Sequence, residues 1–299
     1  MSFFEKKRIC FVGLGCMGYP MAGHLKKECS TLNVFNRSPQ KAKKWIEQHG
    51  GEFFQNVADA AKDADIVISC VNKDDDLKSI TLTSSEKNNV LLSMKKGGIF
   101  IDHSTVSPST CIEISNEAKK YSIDFFDAPI SGGSDGANAG KLSIMVGGDQ
   151  DKFQEILPIL QCYGKKIVYI GKTGDGQRAK IVNQICVAGV IQGLAEGIAL
   201  GKKLGLNMER TLEAIKEGAA GSWQMQNRAS NMLKNLYPLG FAVDLMAKDL
   251  DIVIKEGEKL NADLETTKII LNRYKKIIEK GGGQNDSSAL LQLTEKLLK

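Results

Sequence analysis

Lys180 and Asn183 stand three residues apart where a glycine-flexed turn, Gly174-Asp175-Gly176, runs into a long helical pattern. Residues i and i+3 share a helix face, so an ammonium and an amide there can address one small polar substrate. Lysine serves as a general acid or base when its surroundings bring its pKa towards neutrality. Near a helix start it can equally be a side chain whose stem covers apolar neighbours. Further upstream, Ser131-Gly132-Gly133 offers a hydroxyl and two backbone N–H groups with no side chain in the way. That arrangement suits a carboxylate, and alone it could also be an ordinary glycine-rich loop.

A second constellation opens the chain. Arg8-Ile9-Cys10-Phe11-Val12 reads as a buried strand, Gly13-Leu14-Gly15-Cys16-Met17-Gly18 follows at once, and helical periodicity continues from Met21. G-x-G-x-x-G between strand and helix is the fingerprint of a dinucleotide site. Gly13 allows the tight turn, Gly15 the approach of a pyrophosphate, and Gly18 the packing of helix on strand, with the pyrophosphate on the helix N-terminus. The next strand, Leu32-Asn33-Val34-Phe35, ends in Asn36-Arg37-Ser38. A carboxylate there serves the ribose hydroxyls of NAD, whereas a guanidinium suits the 2′-phosphate of NADP. NADP(H) is therefore the preferred cofactor and NAD(H) a possible one; the structural alternative is a solvated Arg in a turn.

Five motifs in order carry a resemblance that spans essentially the whole chain. They are Gly13 to Gly18, Asp102-His103-Ser104-Thr105-Val106-Ser107-Pro108, Asp127-Ala128-Pro129-Ile130-Ser131-Gly132-Gly133, Gly174 to Asn183, and Lys248-Asp249-Leu250. Together they resemble the β-hydroxyacid dehydrogenases, the group of 3-hydroxyisobutyrate dehydrogenase and glyoxylate/succinic semialdehyde reductase. The resemblance implies that Lys180 is catalytic, that Asn183 helps to hold substrate, and that Ser131, Gly132 and Gly133 bind its carboxylate. It also implies that Thr105 and Lys248 lie beside the nicotinamide, and that Val71-Asn72, after the strand pattern Asp65 to Cys70, passes near the adenosine. Gly13, Leu14, Gly15, Met17, Gly18, Asn36, Arg37 and Ser38 complete the expected cofactor site. Two positions are distinctive. Gln184 stands where the family often has a second Asn, and Trp223 adds bulk where members differ in substrate.

The expected activity is hydride transfer between NADP(H) and a small β-hydroxyacid of the 3-hydroxyisobutyrate type, with Lys180 as general acid/base. One alternative is NADPH-dependent reduction of short aldehyde acids such as glyoxylate or succinic semialdehyde. Another, of a different class, is a non-catalytic dinucleotide-binding interaction module, which would have no need of Lys180. Six-phosphogluconate dehydrogenase is a more distant resemblance, for which this chain is too short in its helical part.

Composition agrees. With 299 residues and 42% hydrophobic content, the chain can bury two cores. Its seven cysteines form no C-x-x-C pair and it has only three histidines, so no metal site is expected. Reduced thiols point to a cytoplasmic setting. The short N-terminus enters the first strand directly, leaving no room for a signal peptide. The apolar run Ile185 to Leu200 is interrupted by Gln192 and Glu196, so no membrane span is expected. A net charge of +5 is mild and favours an anionic cofactor and a small carboxylate substrate. Without a basic stripe interleaved with aromatics, nucleic acid is not a partner. Of the histidines only His103 comes near the expected cleft, and it reads as a bystander.

These residues need a scaffold. Residues 1–173 alternate short apolar strands with helical stretches, which predicts a doubly wound, Rossmann-type parallel α/β sheet. Residues 174–299 read as an all-α C-terminal domain for substrate and oligomerisation, broken near Gly205, Gly218 to Gly221, Tyr237-Pro238 and Gly281 to Gly283. The substrate cleft is expected between the two. Gly189, Gly193, Gly197, Gly201 and Gly205 recur every fourth residue, forming a shallow groove along an i±4n row. A helix of the C-terminal domain or of a second subunit is expected there, within a homodimer or homotetramer.

Overall fold

The computed structural model describes Phe4 and residues 7–295. Two compact units divide the chain, Met1–Lys180 and Ile181–Lys299.

The first unit is built on a sheet of nine strands: β1 (Ile9–Val12), β2 (Asn33–Phe35), β3 (Glu52–Phe53), β4 (Ile66–Ser69), β5 (Ile99–Asp102), β6 (Asp124–Asp127), β7 (Ile130–Ser131), β8 (Leu142–Gly147) and β9 (Gly164–Gly171). The order is β3-β2-β1-β4-β5-β6-β8-β7, and β9 pairs with β8. β1 to β6 are parallel in the doubly wound order, and β8 is antiparallel to both β6 and β7. The sheet is thus mostly rather than wholly parallel. The 132–141 connection between β7 and β8 is shorter than the dozen or so residues that a parallel crossover takes.

Strand side chains alternate between two cores. Ile9, Phe11, Ile66, Ile68, Ile99, Ile101 and Phe126 belong to one cluster, and Cys10, Val12, Val67, Phe100 and Phe125 to another. Successive strand residues point to opposite faces. A parallel sheet covered by helices on both faces therefore needs continuous apolar runs instead of alternation, which is what Arg8 to Val12 and Asp65 to Cys70 contain.

The second unit is helical. The helix Asp175–Lys203 is followed by Met208–Ile215, Trp223–Leu233, Val243–Lys259, Glu265–Glu279 and Leu290–Thr294. The breaks fall at the expected glycine and proline clusters except one, residues 260–264, which holds neither residue and turns at Asn261 with φ +53°. Ala188, Ile191, Ala195 and Ile198 of the long helix join Val243, Met246, Leu250, Val253, Ile270 and Tyr274 in one core. Among the described residues this helix is long and apolar enough to cross a membrane by length and composition. Its buried side makes it a core helix of a packed unit.

The glycine row is met by a helix of the C-terminal part at one end only, where the helix Met208–Ile215 begins. A Cβ at Gly189, Gly193 or Gly197 would meet nothing within 4 Å, whereas at Gly201 it would meet Met208 Sδ at 2.3 Å. Among the described residues no helix enters the row between Gly189 and Gly197. It borders a cavity of about 550 Å³ lined by Val190, Leu194, Leu200, Leu204 and Met208 among others.

Candidate active site

The glycine loop follows β1. Gly13 has φ +96°, and a Cβ there would lie 2.3 Å from Cys70 O. At Gly18 it would lie 1.9 Å from Gly13 O, and at Gly15 it would meet nothing within 4 Å. Gly13 and Gly18 are therefore demanded by backbone packing, while Gly15 leaves open space against the main chain. The helix Gly18–Glu28 starts without a side-chain cap. Tyr19 N donates to Gly15 O at 2.9 Å and Pro20 has no N–H, so any N–H offered to an anion belongs to the residues before Tyr19. An open glycine and an uncapped helix start fit the pyrophosphate of a dinucleotide.

The residues after β2 have distinct occupations. Asn36 Oδ1 accepts from Leu14 N at 2.8 Å, and Asn36 Nδ2 donates to Ser38 O at 2.9 Å. Asn36 thus ties the glycine loop to the end of β2. Arg37 is 80% exposed and pairs through Nη1 with Asp76 Oδ1 at 3.0 Å. Asp76, in the helix Asp74–Thr81, is a neighbour that sequence reasoning missed. Val71 N donates to Ser104 Oγ at 2.8 Å, Asn72 is exposed, and Thr105 is half-buried.

Lys180 lies in the second turn of the helix Asp175–Lys203, 6% exposed, and its Nζ donates to Ile130 O at 2.8 Å. That carbonyl adjoins Ser131. The structure therefore brings the lysine beside the loop Ser131-Gly132-Gly133, where Gly132 adopts φ +136°.

Two buried carboxylates end neighbouring strands in register, Asp102 on β5 and Asp127 on β6. Burial pushes the Asp102 carboxyl up to about 6, opposed by hydrogen bonds from Ser104 and Ser69. Burial likewise pushes Asp127 up to about 7, opposed by the N–H groups of Gly174 and Gln177. His103 is also buried. Ala128 O can only accept, so the imidazole donates to it through Nδ1 at 2.7 Å; its Nε2 then accepts from the Tyr163 hydroxyl at 2.8 Å. Burial holds His103 neutral, pushed down to about 4. Its bonds are structural.

In the second unit, Asn183 Nδ2 donates to Gln184 Oε1 at 2.7 Å, and Gln184 Nε2 donates to Asp249 Oδ2. Lys248 Nζ pairs with Asp249 Oδ1 at 2.7 Å. Asn183 and Lys248 are thus linked through Gln184 and the buried Asp249. Trp223 is 45% exposed and has the Arg228 guanidinium over its ring at 5.0 Å.

Comparison with known proteins decides the family. The family model described as the NAD binding domain of 6-phosphogluconate dehydrogenase matches residues 8–171, and that described as the NAD-binding domain of NADP-dependent 3-hydroxyisobutyrate dehydrogenase matches residues 174–294. The chain belongs to the β-hydroxyacid dehydrogenase family. An uncharacterised oxidoreductase of Shewanella frigidimarina is 41% identical over 97% of this chain and 98% of its own length. The 2-hydroxy-3-oxopropionate reductase of Escherichia coli is 30% identical over 96% and 97%. Among solved structures, a 3-hydroxyisobutyrate dehydrogenase of Mycobacterium tuberculosis, determined with L-serine, is 28% identical, covers 96% of this chain and 98% of its own, and superposes with a TM-score of 0.84.

As a member of this family the protein is an NAD(P)-dependent oxidoreductase of the 3-hydroxyisobutyrate dehydrogenase type, with a nicotinamide dinucleotide as cofactor. That sets aside the non-catalytic module. Sequence reasoning gave no role to Asp127 or Gln177, which stand beside Lys180 in the first unit, to Asp76 beside Arg37, or to Asp249 beside Lys248 in the second. A polar residue ending an apolar strand, as Asp127 does, is the one signal in the sequence that could have marked any of them.

Proposed function

We propose that the enzyme transfers a hydride between NADP(H) and a small β-hydroxyacid of the 3-hydroxyisobutyrate type, with Lys180 as general acid/base. The observation that carries this reading is the 2.8 Å contact of Lys180 Nζ with Ile130 O. It sets a proton-transfer group beside Ser131 and the two glycines proposed to take the carboxylate. When bound, the nicotinamide supplies the hydride chemistry. In the oxidative direction the amine form of Lys180 accepts the proton of the substrate hydroxyl; in reduction the ammonium returns it. Asn183, three residues along the helix, orients that oxygen. Ser131 Oγ and the N–H groups of Gly132 and Gly133 hold the carboxylate.

The cofactor would be held by Gly13, Leu14, Gly15, Met17 and Gly18, by Asn36 and Ser38, by Val71, Asn72 and Thr105, and by Lys248. Arg37 would meet the 2′-phosphate, and its exposure supports a preference for NADP(H). Reduction of short aldehyde acids by the same groups is the second reading, favoured by the reductase among the relatives.

The enzyme is proposed to be a homodimer or homotetramer, a reading supported by the open glycine row and the apolar cavity beside it. A cytoplasmic setting is proposed from the seven scattered cysteines, which form no C-x-x-C pair. Light scattering tests the first, and fractionation of the source cells tests the second.

The deciding experiment follows the reduced-nicotinamide absorbance with NADP and NAD against 3-hydroxyisobutyrate, serine, threonate and glycolate, and in reverse against glyoxylate and the semialdehydes. Lys180→Ala should lower kcat by about 10²- to 10⁴-fold with dinucleotide affinity unchanged. Turnover within a few-fold of wild type would overturn the mechanism.

A further inference from the structure

The helix that carries Lys180 begins in an unusual way. Its N-cap position is Gly174, which has no side chain to satisfy the first-turn N–H groups. Asp127, far upstream on β6, takes that role instead. Its Oδ1 accepts from Gly174 N at 2.7 Å and its Oδ2 from Gln177 N at 2.9 Å. Two acceptor oxygens of one carboxylate thus meet two orphan donors of the helix.

The surroundings leave room for this and little else. A Cβ at Gly147 would lie 2.6 Å from Asp127 Oδ1, and one at Gly176 would lie 2.5 Å from Asp127 O and 2.9 Å from Asp127 Oδ2. Gln177 adds a second tie. It is 1% exposed, its Nε2 donates to Ser104 O at 2.7 Å, and its Oε1 accepts from Val106 N at 3.2 Å. These bonds bracket Thr105 on both sides.

We propose that Asp127 and Gln177 are positioning residues, which lock the first turn of the Lys180 helix to the end of β6 and to the Ser104–Val106 segment. The proton-transfer lysine and Thr105, proposed to lie beside the nicotinamide, are thereby set in one frame. Three residues separate Gln177 from Lys180, so a shift of the first turn is passed directly to Nζ and to its contact with Ile130 O. Neither residue touches the reacting atoms. Both act through the helix start, and the catalytic part of the inference rests on Lys180 being the acid/base.

Two measurements test it. The first needs no substrate or cofactor: amide hydrogen exchange of the ligand-free protein. Asp127→Asn keeps the volume but turns an NH2 towards a backbone donor, so amides of residues 174–180 should exchange at least tenfold faster, with β1 and β4 unchanged. Unchanged exchange in 174–180 overturns the clamp. The second is a double-mutant cycle with 3-hydroxyisobutyrate and NADP at a temperature well below either melting point. Asp127→Asn alone should lower kcat by roughly 10- to 100-fold, the scale of a small misplacement, with KM for the acid moved less than threefold. In the Lys180→Ala background it should cost almost nothing more. If the two losses multiply, Asp127 does not act through Lys180 and the proposal fails. If Lys180→Ala alone loses nothing, it is the acid/base reading that fails, and the exchange result still stands by itself. Gln177→Met, taken through the same exchange measurement and cycle, decides the matter should Asp127→Asn not fold.

Discussion

In the first unit a methyl group on Gly13 would press into Cys70 O at 2.3 Å, and one on Gly18 into Gly13 O at 1.9 Å. In the second unit a methyl group on Gly189, Gly193 or Gly197 would meet nothing within 4 Å. The same residue type is thus present for different reasons. In the first unit, contacts already made inside the chain forbid any side chain. In the second, each glycine costs a helix about 1 kcal/mol against alanine, and no contact among the described residues repays it. A special residue explained by its own chain is a fold requirement. One left unexplained by its chain points outward.

The largest effect should come where the chain's own contacts are tightest. Gly13→Ala sets a Cβ at positive φ, which costs about 1–2 kcal/mol, and adds overpacking of about 1–3 kcal/mol. Expressed in the loop, a cost of about 3 kcal/mol corresponds to roughly 100-fold weaker dinucleotide binding, measurable by fluorescence titration with NADPH. Affinity within threefold of wild type would break the first half of the comparison.

His103 carries the same idea from shape to charge. Its folded pKa lies near 4, below the ordinary 6.5. A depressed folded pKa means that the unfolded chain binds the proton first. The stability His103 provides is therefore fully present above about pH 6.5 and lost as pH falls towards 4. At 1.36 kcal/mol per unit the loss is about 3 kcal/mol. Asp102 and Asp127, raised by burial, titrate in the opposite sense, so the effect should be read as the difference between wild type and His103→Gln. By denaturant unfolding that difference should shrink by about 3 kcal/mol between pH 7.5 and 4. A difference independent of pH would mean that the imidazole is not held neutral.

How much of this was legible in the sequence follows the same division. Gly13 to Gly18 sits between a strand and a helix, so local order alone marks its function. Lys180, Asn183 and Ser131 lie in contiguous motifs, so each residue is marked locally, although the contact of Lys180 with Ile130 O spans 50 residues. Asp127's capping of a helix start 47 residues away depends on which strand lies beside which. That is a tertiary fact without local spacing. Asp76 escaped notice for the same reason, since its approach to Arg37 spans 39 residues. The antiparallel turn of β8 was hidden because an apolar strand reads alike in either direction. The glycine row showed its period but not its occupant, because periodicity reports a face and not what covers it.

Arg37 sits between the two cases, held by Asp76 yet largely exposed. Arg37→Asp should weaken NADPH by about 1.5–3 kcal/mol, the worth of a charge-assisted contact, and leave NADH nearly unchanged. Asp76→Asn should act oppositely, since it releases the guanidinium and removes a negative charge near the proposed 2′-phosphate; a gain of up to about 1 kcal/mol for NADPH is expected. If Asp76→Asn instead weakens NADH and spares NADPH, the carboxylate serves ribose hydroxyls and the preference for NADP is wrong.

The smallest effect should come from Gly193→Ala, the same substitution as at Gly13 in a setting that tolerates it. Inside one chain the methyl group meets nothing, so helix propensity alone acts and should add about 1 kcal/mol, a rise of a few degrees in melting temperature. A second copy of the chain seated on the row would change the outcome, because close helix approach along an i±4n groove depends on the missing side chains. The expected result is therefore double: the mass by light scattering falls towards that of one chain on dilution, while the dissociated form melts a few degrees higher than dissociated wild type. A higher melting temperature with no change of mass would show the row to be idle surface and would sink the proposed assembly through it. A lower melting temperature of the dissociated chain would show that its own contacts reach Gly193 after all, and the contrast between the two glycine clusters would collapse.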